Sequence, residues 1–497
     1  MSTLKSSQQV SPLSDSAVEH IKQKSISGAL SYFMRSIFLQ GLGFVSAIIL
    51  SALLEPEDFG VYGFVIQIIG LLTFVSDIGL AAALIQKREN PSLSEYRTAF
   101  TVQQILSWVI VLLVLGLVAS GFVASKVGTQ GNWILLALAI SFPLASLKTV
   151  SSVLLERELE FSKLVIPQIV EQILFHLVLI LLAWRGLGAL SYAYAIFARS
   201  LAGTAVMLVV APWRVGFQIE RTALRQLFGF GFKFQLNDFL ARVKDQLFFL
   251  ALGLVMPLRE FGYVQWSKNW SMYPYSLTVQ NVMAVTFPTF SRLQHDRKLL
   301  GRAIEKALYF ISLCIFPVLV VMVVFIEPVV ALVPSYAKWQ PALWTFIWFT
   351  LSVFWSALST PLTNTFNAIG KIHTTLKLMV MWTSLTWILT PLALWAWGFT
   401  GVAFSAFIIS CSSVVTVLLA QREAPIRFWQ HVGKQTIAAT IMLVIGIIGN
   451  VWWKESFAWL FGGMISLTGL YALVFLLIGW SQFKQEYRSL LLKKIKA

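Results

Sequence analysis

The chain has 497 residues, of which 57% are hydrophobic and only 12% are charged. Soluble globular proteins carry about 25% charged residues, so this composition excludes a soluble enzyme and makes lipid the solvent for most of the chain. The net charge is +16, from 38 Lys and Arg against 22 Asp and Glu. Membrane topology accounts for this basic excess, and no nucleic-acid partner is needed to explain it.

Apolar segments follow one another along almost the whole chain. A helix that crosses the hydrocarbon layer needs about 20 apolar residues. Fourteen segments reach that length: 28–53, 60–85, 100–124, 133–154, 164–184, 187–211, 229–255, 262–289, 306–326, 341–366, 375–396, 399–419, 436–453 and 458–480. The sequence therefore predicts an all-α integral membrane protein with about 14 transmembrane helices.

The distribution of Lys and Arg predicts the orientation in the membrane. Of the 38 basic residues, 26 fall in the two tails and in alternate connections on one side, five fall on the other side, and seven lie within spans. Short cytoplasmic loops are enriched in Lys and Arg, so both termini are expected in the cytoplasm. The polar start lacks the apolar core of a signal peptide and is interpreted as a retained tail.

A short motif repeats at an offset of 202 residues. Asp58-Phe59-Gly60 links the first two predicted spans, and Glu260-Phe261-Gly262 links the seventh and eighth, each time on the predicted outer side. Six spans return the chain to the same face, so duplication of a six-helix unit explains the match. The predicted organisation is a cytoplasmic tail 1–25, an N-lobe 26–212, a C-lobe 213–420, two further helices 421–480 and a basic cytoplasmic tail 481–497.

Several stretches resemble the polysaccharide transport family. They are 53–63 (LLEPEDFGVYG), 77–80 (DIGL), 83–88 (ALIQKR) and 287–294 (FPTFSRLQ), the last similar to the family's P-x-x-S-R-L-Q end of the eighth span. This family contains the Wzx-type flippases, including the colanic-acid exporter group, within the multidrug/oligosaccharidyl-lipid/polysaccharide exporter superfamily.

The resemblance implies a function for the chain. It implies a bacterial inner-membrane flippase for an undecaprenyl-diphosphate-linked oligosaccharide, serving exopolysaccharide, O-antigen or capsule synthesis. Membrane lipid surrounds such a protein, and a polysaccharide polymerase and chain-length or export proteins are candidate partners. Two lobes with a cleft between them suit alternating access.

Ionisable side chains within the predicted spans are functional candidates, because charge in hydrocarbon is costly. The basic ones are Arg35, Lys148, Arg199, Lys233, Arg242, Lys244 and Lys268, and the acidic ones are Asp77, Glu171, Asp238 and Asp245. All of them fall in the first eight spans, which are therefore expected to line a net-positive cleft.

Three of these basic residues come nearest to the middle of the membrane by helical rise, namely Arg199, Arg242 and Lys244. They are the predicted binding groups for a diphosphate head, since guanidinium forks and ammonium groups suit phosphate oxygens. The alternative for Arg242 is an ion pair with Asp238, four residues earlier on the same helix face.

Arg35 and Asp77 are predicted at one depth, near the cytoplasmic edge. Each lies roughly 27–28 Å below the first outer hairpin by the rise of an α-helix. Opposite charges at one depth predict an ion pair, because buried charges pair. A gate that opens and closes with this pair is the sharper hypothesis.

The fifth span carries a polar stripe of Gln168, Glu171, Gln172 and His176. A buried carboxylate and an imidazole could carry a proton and couple transport to an ion. The alternative is interhelical hydrogen bonding, such as a pair of Glu171 with Lys148, and the residues slightly favour that alternative.

Aromatic side chains in the eighth span could stack on sugar rings. Trp266, Trp270 and Tyr273 lie on one helical stripe. Packing or interfacial anchoring is the favoured interpretation, because 14% of the chain is aromatic and Trp and Tyr gather at membrane interfaces.

Other functions remain open. A cation-coupled multidrug exporter would need acidic binding groups, whereas a peptidoglycan-precursor flippase fits the same charges. A membrane polysaccharide polymerase or ligase would need reactive side chains on an outer loop, and the outer connections are short. The two cysteines, Cys314 and Cys411, lie in apolar segments without metal-ligand spacing. No catalytic site, metal or cofactor is expected.

Overall fold

The computed structural model describes residues 15–76, 79–87, 89–225 and 245–495, and these ranges contain helices and turns but no strand. Its helices are α1 (Asp15–Leu53), α2 (Pro56–Ser76), α3 (Leu80–Gln86), α4 (Leu93–Ala119), α5 (Phe122–Arg157), α6 (Phe161–Trp184), α7 (Leu190–Val210), α8 (Asp245–Val255 in the described part), α9 (Leu258–Tyr275), α10 (Asn281–Arg292), α11 (Arg297–Leu332), α12 (Leu343–Ala368), α13 (Ile372–Trp397), α14 (Phe399–Cys411), α15 (Val414–Glu423), α16 (Phe428–Ile448), α17 (Asn450–Trp453) and α18 (Phe457–Ile495). The all-α fold is confirmed.

Eleven helical stretches among the described residues are long and apolar enough to cross a membrane. The other three expected spans correspond to α2, to the stretch 258–292, and to 229–255, most of which lies outside the described residues. The expected eighth span is not one regular helix, because a π-helical segment, Ser276–Gln280, separates α9 from α10. Pro274 precedes this segment and lacks the backbone N–H that a regular helix would use.

The chain forms two compact units. The first comprises residues up to 47 and residues 68–243, and the second comprises 48–67 and 244–497. In the first unit, α5 packs on α4 and α7, and α6 packs on α7. In the second, α11 packs on α12 and α16 around a large apolar core. The hairpin between α1 and α2 therefore belongs to the second unit.

The repeated motif explains one contact within the second unit. A Cβ atom at Gly60 would overlap the carbonyl oxygen of Leu258, and a Cβ atom at Gly262 would overlap that of Pro56. Gly262 and Leu258 lie 202 residues after Gly60 and Pro56, so the two contacts are equivalent and differ only in which copy of the motif supplies the glycine. Glycine permits this close approach of backbones because it has no side chain. The motif thus marks a reciprocal contact between two equivalent hairpins.

Candidate functional site

Helix α6 carries a row of polar side chains through an apolar span. Gln168, Glu171, Gln172 and His176 occur at spacings that place them on one face. The helix has 24 residues, enough to reach about 36 Å. Neighbouring helices of the first unit supply hydrogen-bonding and charged partners for this row.

The end of the row nearest the start of α6 contacts α1. The guanidinium of Arg35 donates a hydrogen bond to the side-chain oxygen of Gln168. Asp77, the partner predicted for Arg35, lies outside the described residues, so the proposed gate pair stays a prediction. The structure therefore connects Arg35 to the same polar row as Glu171.

Glu171 forms an ion pair with Lys148 of α5, and their side chains are only 20% and 22% exposed. Gly203 of α7 makes room for the carboxylate, because a Cβ atom there would overlap the Glu171 side chain. This interhelical pair is the arrangement that the sequence favoured, and the structure confirms it. Coupling to an ion through Glu171 and His176 stays a prediction.

The other end of the row contacts α1 and α7. The Nδ1 atom of His176 lies 2.8 Å from the hydroxyl oxygen of Ser46. The guanidinium of Arg199 lies over the ring of Phe175, 4.8 Å from its centroid. Arg199 is half-buried, and within the ranges that the structure describes it forms no ion pair.

The described row is net positive. It holds three basic side chains, Arg35, Lys148 and Arg199, against the single carboxylate of Glu171. Lys148 is neutralised by Glu171, whereas the guanidinium of Arg199 faces an aromatic ring and is half-buried. Such a guanidinium can donate charge-assisted hydrogen bonds to a phosphate or another oxyanion.

Besides Asp77, three predicted site residues lie outside the described residues, namely Asp238, Arg242 and Lys244. Their assignment to a diphosphate head and to an ion pair stays a prediction. Lys268 of α9, another ionisable candidate, lies over the ring of Phe249, with its nitrogen 3.3 Å from the centroid. The ammonium of Lys268 therefore contacts an aromatic face.

The aromatic stripe of α9 divides into a packed part and a more open part. Trp266 is 1% exposed and stacks on Trp339, with centroids 4.5 Å apart. Its indole N–H donates to Ser51 at 2.8 Å. Trp266 is therefore packed inside the protein in this structure, as the favoured interpretation of the sequence has it, and its contact with sugar stays a prediction. Trp270 and Tyr273 are half-buried, with ring centroids 5.6 Å apart, and their sugar contact stays a prediction.

Residues 49–343, more than half of the chain, match the model of a protein family that is described as "Polysaccharide biosynthesis protein". The chain belongs to this family. The succinoglycan biosynthesis transport protein ExoT of Rhizobium meliloti (strain 1021) is 24% identical over 269 residues, covering 53% of each chain. An uncharacterized membrane protein in the cps region of Klebsiella pneumoniae is 26% identical over 322 residues, which are 63% of this chain and 65% of that protein. The matched region thus spans about half to about two thirds of the length of these relatives.

Two solved structures show the fold of this chain. The lipid II flippase MurJ, in an inward closed conformation, aligns with a TM-score of 0.70 at 15% identity, covering 94% of this chain and 100% of that one. An inward-facing multidrug resistance MATE family transporter of the MOP superfamily aligns with a TM-score of 0.61 at 15% identity, covering 77% and 93%. The protein is therefore a multi-pass membrane protein with the fold of MOP-superfamily transporters.

The sequence analysis missed one side chain that contacts the backbone of the family-like stretch 83–88. The guanidinium of Arg157, at the end of α5, donates to the carbonyl oxygens of Leu84 and Lys87 at 2.8 Å and of Glu89 at 3.0 Å. It thereby satisfies carbonyls left open where α3 ends. A single Arg after a predicted span carries no signal that identifies backbone carbonyls as its partners.

Proposed function

We propose that this protein moves an undecaprenyl-diphosphate-linked oligosaccharide across the bacterial inner membrane. Family membership supports a role in polysaccharide biosynthesis. The name of one relative, a succinoglycan biosynthesis transport protein, supports transport as that role. The fold also occurs in a flippase whose cargo is lipid II.

The observation that carries the proposal is the position of Arg199. Its guanidinium lies in the interior of the α7 span, half-buried, against an aromatic ring. A purely structural arginine in a membrane span is expected to pair with a carboxylate. Among the described residues the carboxylate of this row, Glu171, is paired with Lys148 instead. Arg199 is therefore the group that we propose to bind the anionic head of the cargo.

The same electrostatics favour a phosphate-bearing cargo over a cationic drug. A cation would be repelled by a row with a net charge of two positive, and Glu171 is already neutralised. A diphosphate head would instead exchange its hydration shell for guanidinium and ammonium donors. Its prenyl chain could remain in lipid throughout, so only the polar head has to be sheltered.

Alternating access is the mechanism that we propose for this movement. Both termini would face the cytoplasm, and the paired glycine hairpins would lie on the outer side. Their reciprocal backbone contact holds the ends of the two hairpins close together. Release to the outside would require this contact to separate.

Deletion of the gene, followed by complementation, tests the proposal. Deletion should remove a surface polysaccharide and accumulate its lipid-linked repeat, and the wild-type chain should restore both. Arg199→Ala should weaken head-group binding by about 10- to 100-fold, because hydrogen bonds to charged groups contribute about 1.5–3 kcal/mol.

The matched control is Arg214→Ala, an exposed arginine outside the spans of the same unit. It should complement fully at equal membrane abundance. Loss of the gene without accumulation of any lipid-linked saccharide would refute the assigned cargo. Full transport by the Arg199 variant would refute its role in binding the head group.

A further inference from the structure

A large cavity lies in the second unit, and its lining residues are distinct from the polar row on α6. Its volume is about 1460 Å³. The end of α10, the first turns of α11 and α16, and α18 near Ser481 surround it. Pockets for small ligands usually measure about 300–1,000 Å³, so this one could hold a larger head group.

The lining of the cavity is strongly basic. Its basic side chains are Lys298, Arg302 and Lys306 of α11, Arg427 just before α16, and His431 and Lys434 of α16. On each helix these residues are spaced by three or four positions, so each set shares one face. The two faces contribute from opposite sides, since α11 packs against α16.

Glu305 is the carboxylate among the lining residues, and it is already engaged. Its Oε1 atom accepts a hydrogen bond from the backbone N–H of Arg427 at 2.7 Å and lies 3.8 Å from Nδ1 of His431. Lys298, Arg302 and Lys434 form no ion pair within the part of the chain that the structure describes. The cavity therefore presents several positive charges that protein carboxylates do not neutralise.

The position of the cavity relates it to lipid. It is formed where α11, α16 and α18, three apolar helices long enough to span a membrane, begin or end. Trp429 and Leu299 lie on the same turns and are 65% and 45% exposed. Exposed tryptophan beside basic residues is typical of the membrane–water interface. Basic pockets between spans on the cytoplasmic side bind anionic lipid head groups.

We propose that this cavity binds the phosphate head group of an anionic phospholipid of the surrounding leaflet. The basic faces of α11 and α16 would hold the phosphate oxygens, while the acyl chains remain along the spans. Charge-assisted hydrogen bonds provide the affinity. The cavity is separate from Arg199, so this inference does not depend on the cargo that the protein transports.

Native mass spectrometry of the full chain in detergent tests the proposal. Phosphatidylglycerol, phosphatidylcholine and inorganic pyrophosphate are titrated separately. The test variant is Arg302→Gln with Lys434→Gln, and the control is Lys377→Gln with Arg422→Gln. The control removes the same charge from exposed residues outside the cavity.

Phosphatidylglycerol should bind more tightly than phosphatidylcholine, and the cavity variant should bind it about 30-fold more weakly, at about 1 kcal/mol per basic residue. The control variant should bind like the wild type. The charge-preserving exchange Arg302→Lys with Lys434→Arg should retain binding, which separates loss of charge from loss of folding. Equal losses in cavity and control variants would overturn the proposal. Equal binding of the two lipids, or variant-sensitive binding of pyrophosphate alone, would also overturn it.

Discussion

The ion pair of Lys148 and Glu171 makes a quantitative prediction about the first unit. We expect Glu171→Gln and Lys148→Met each to destabilise the protein by about 2–3 kcal/mol. Removing one partner of a fully buried pair costs about 3–5 kcal/mol, and the side chains here retain about one fifth of their exposure. The double variant should lose about 1 kcal/mol or less, since it leaves no unpaired charge in the span.

A double-mutant cycle measures this coupling directly. Chemical unfolding of the purified variants gives four free energies. The two single losses together come to about 4–6 kcal/mol against about 1 kcal/mol for the double variant, so a coupling of about 3–5 kcal/mol is expected. The control cycle uses Lys371 and Glu423, an ion pair with nitrogen and oxygen 2.7 Å apart and side chains 49% and 21% exposed. An exposed pair should couple by about 0.2–1 kcal/mol. Equal coupling in the two cycles would refute the reasoning that burial strengthens the first pair.

Transport by the same double variant decides what Glu171 does. If the carboxylate only neutralises Lys148, the double variant should restore much of the transport that each single variant loses. If Glu171 carries a proton with His176, the double variant should stay inactive although it is stable. Transport activity is normalised to the amount of protein in the membrane, so that a loss of proton coupling is distinguished from a loss of stability.

Two further predictions concern the hairpins and the family motif. Cysteines replacing Glu57 and Arg259, whose side chains lie 3.5 Å apart, should be joined by a short thiol cross-linker in a chain with Cys314→Ser and Cys411→Ser. Cross-linking should stop transport and reduction should restore it, whereas undiminished transport in the cross-linked protein would refute the hairpins as a gate. Arg157→Lys should destabilise the protein by about 1–3 kcal/mol, since lysine cannot replace the bonds to several carbonyls at once. Hydrogen exchange across 84–90 should increase, and unchanged protection there would refute the assigned role.

The sequence alone determined the membrane-spanning helices, an internal repeat and one candidate ion pair. Long apolar runs specify spans because the backbone must satisfy its hydrogen bonds within lipid. The motif repeated at Gly60 and Gly262 predicted a duplication, because six spans return the chain to the same face, but the contact between the two copies came from the structure. The pair of Lys148 and Glu171 followed from opposite charges at similar depth, since a charge in hydrocarbon needs a partner.

Only the tertiary structure determines which side chains of the same type are buried and which are exposed. Trp266 and Trp270 are the same residue type and lie one helical turn apart. Trp339, from a segment far along the chain, stacks on Trp266 and not on Trp270. The basic cavity likewise joins parts of α10, α11, α16 and α18 that are up to nearly 200 residues apart. Periodicity along one helix defines a face, but it does not say which distant helix packs against that face, and this packing determines burial and the chemistry that remains accessible.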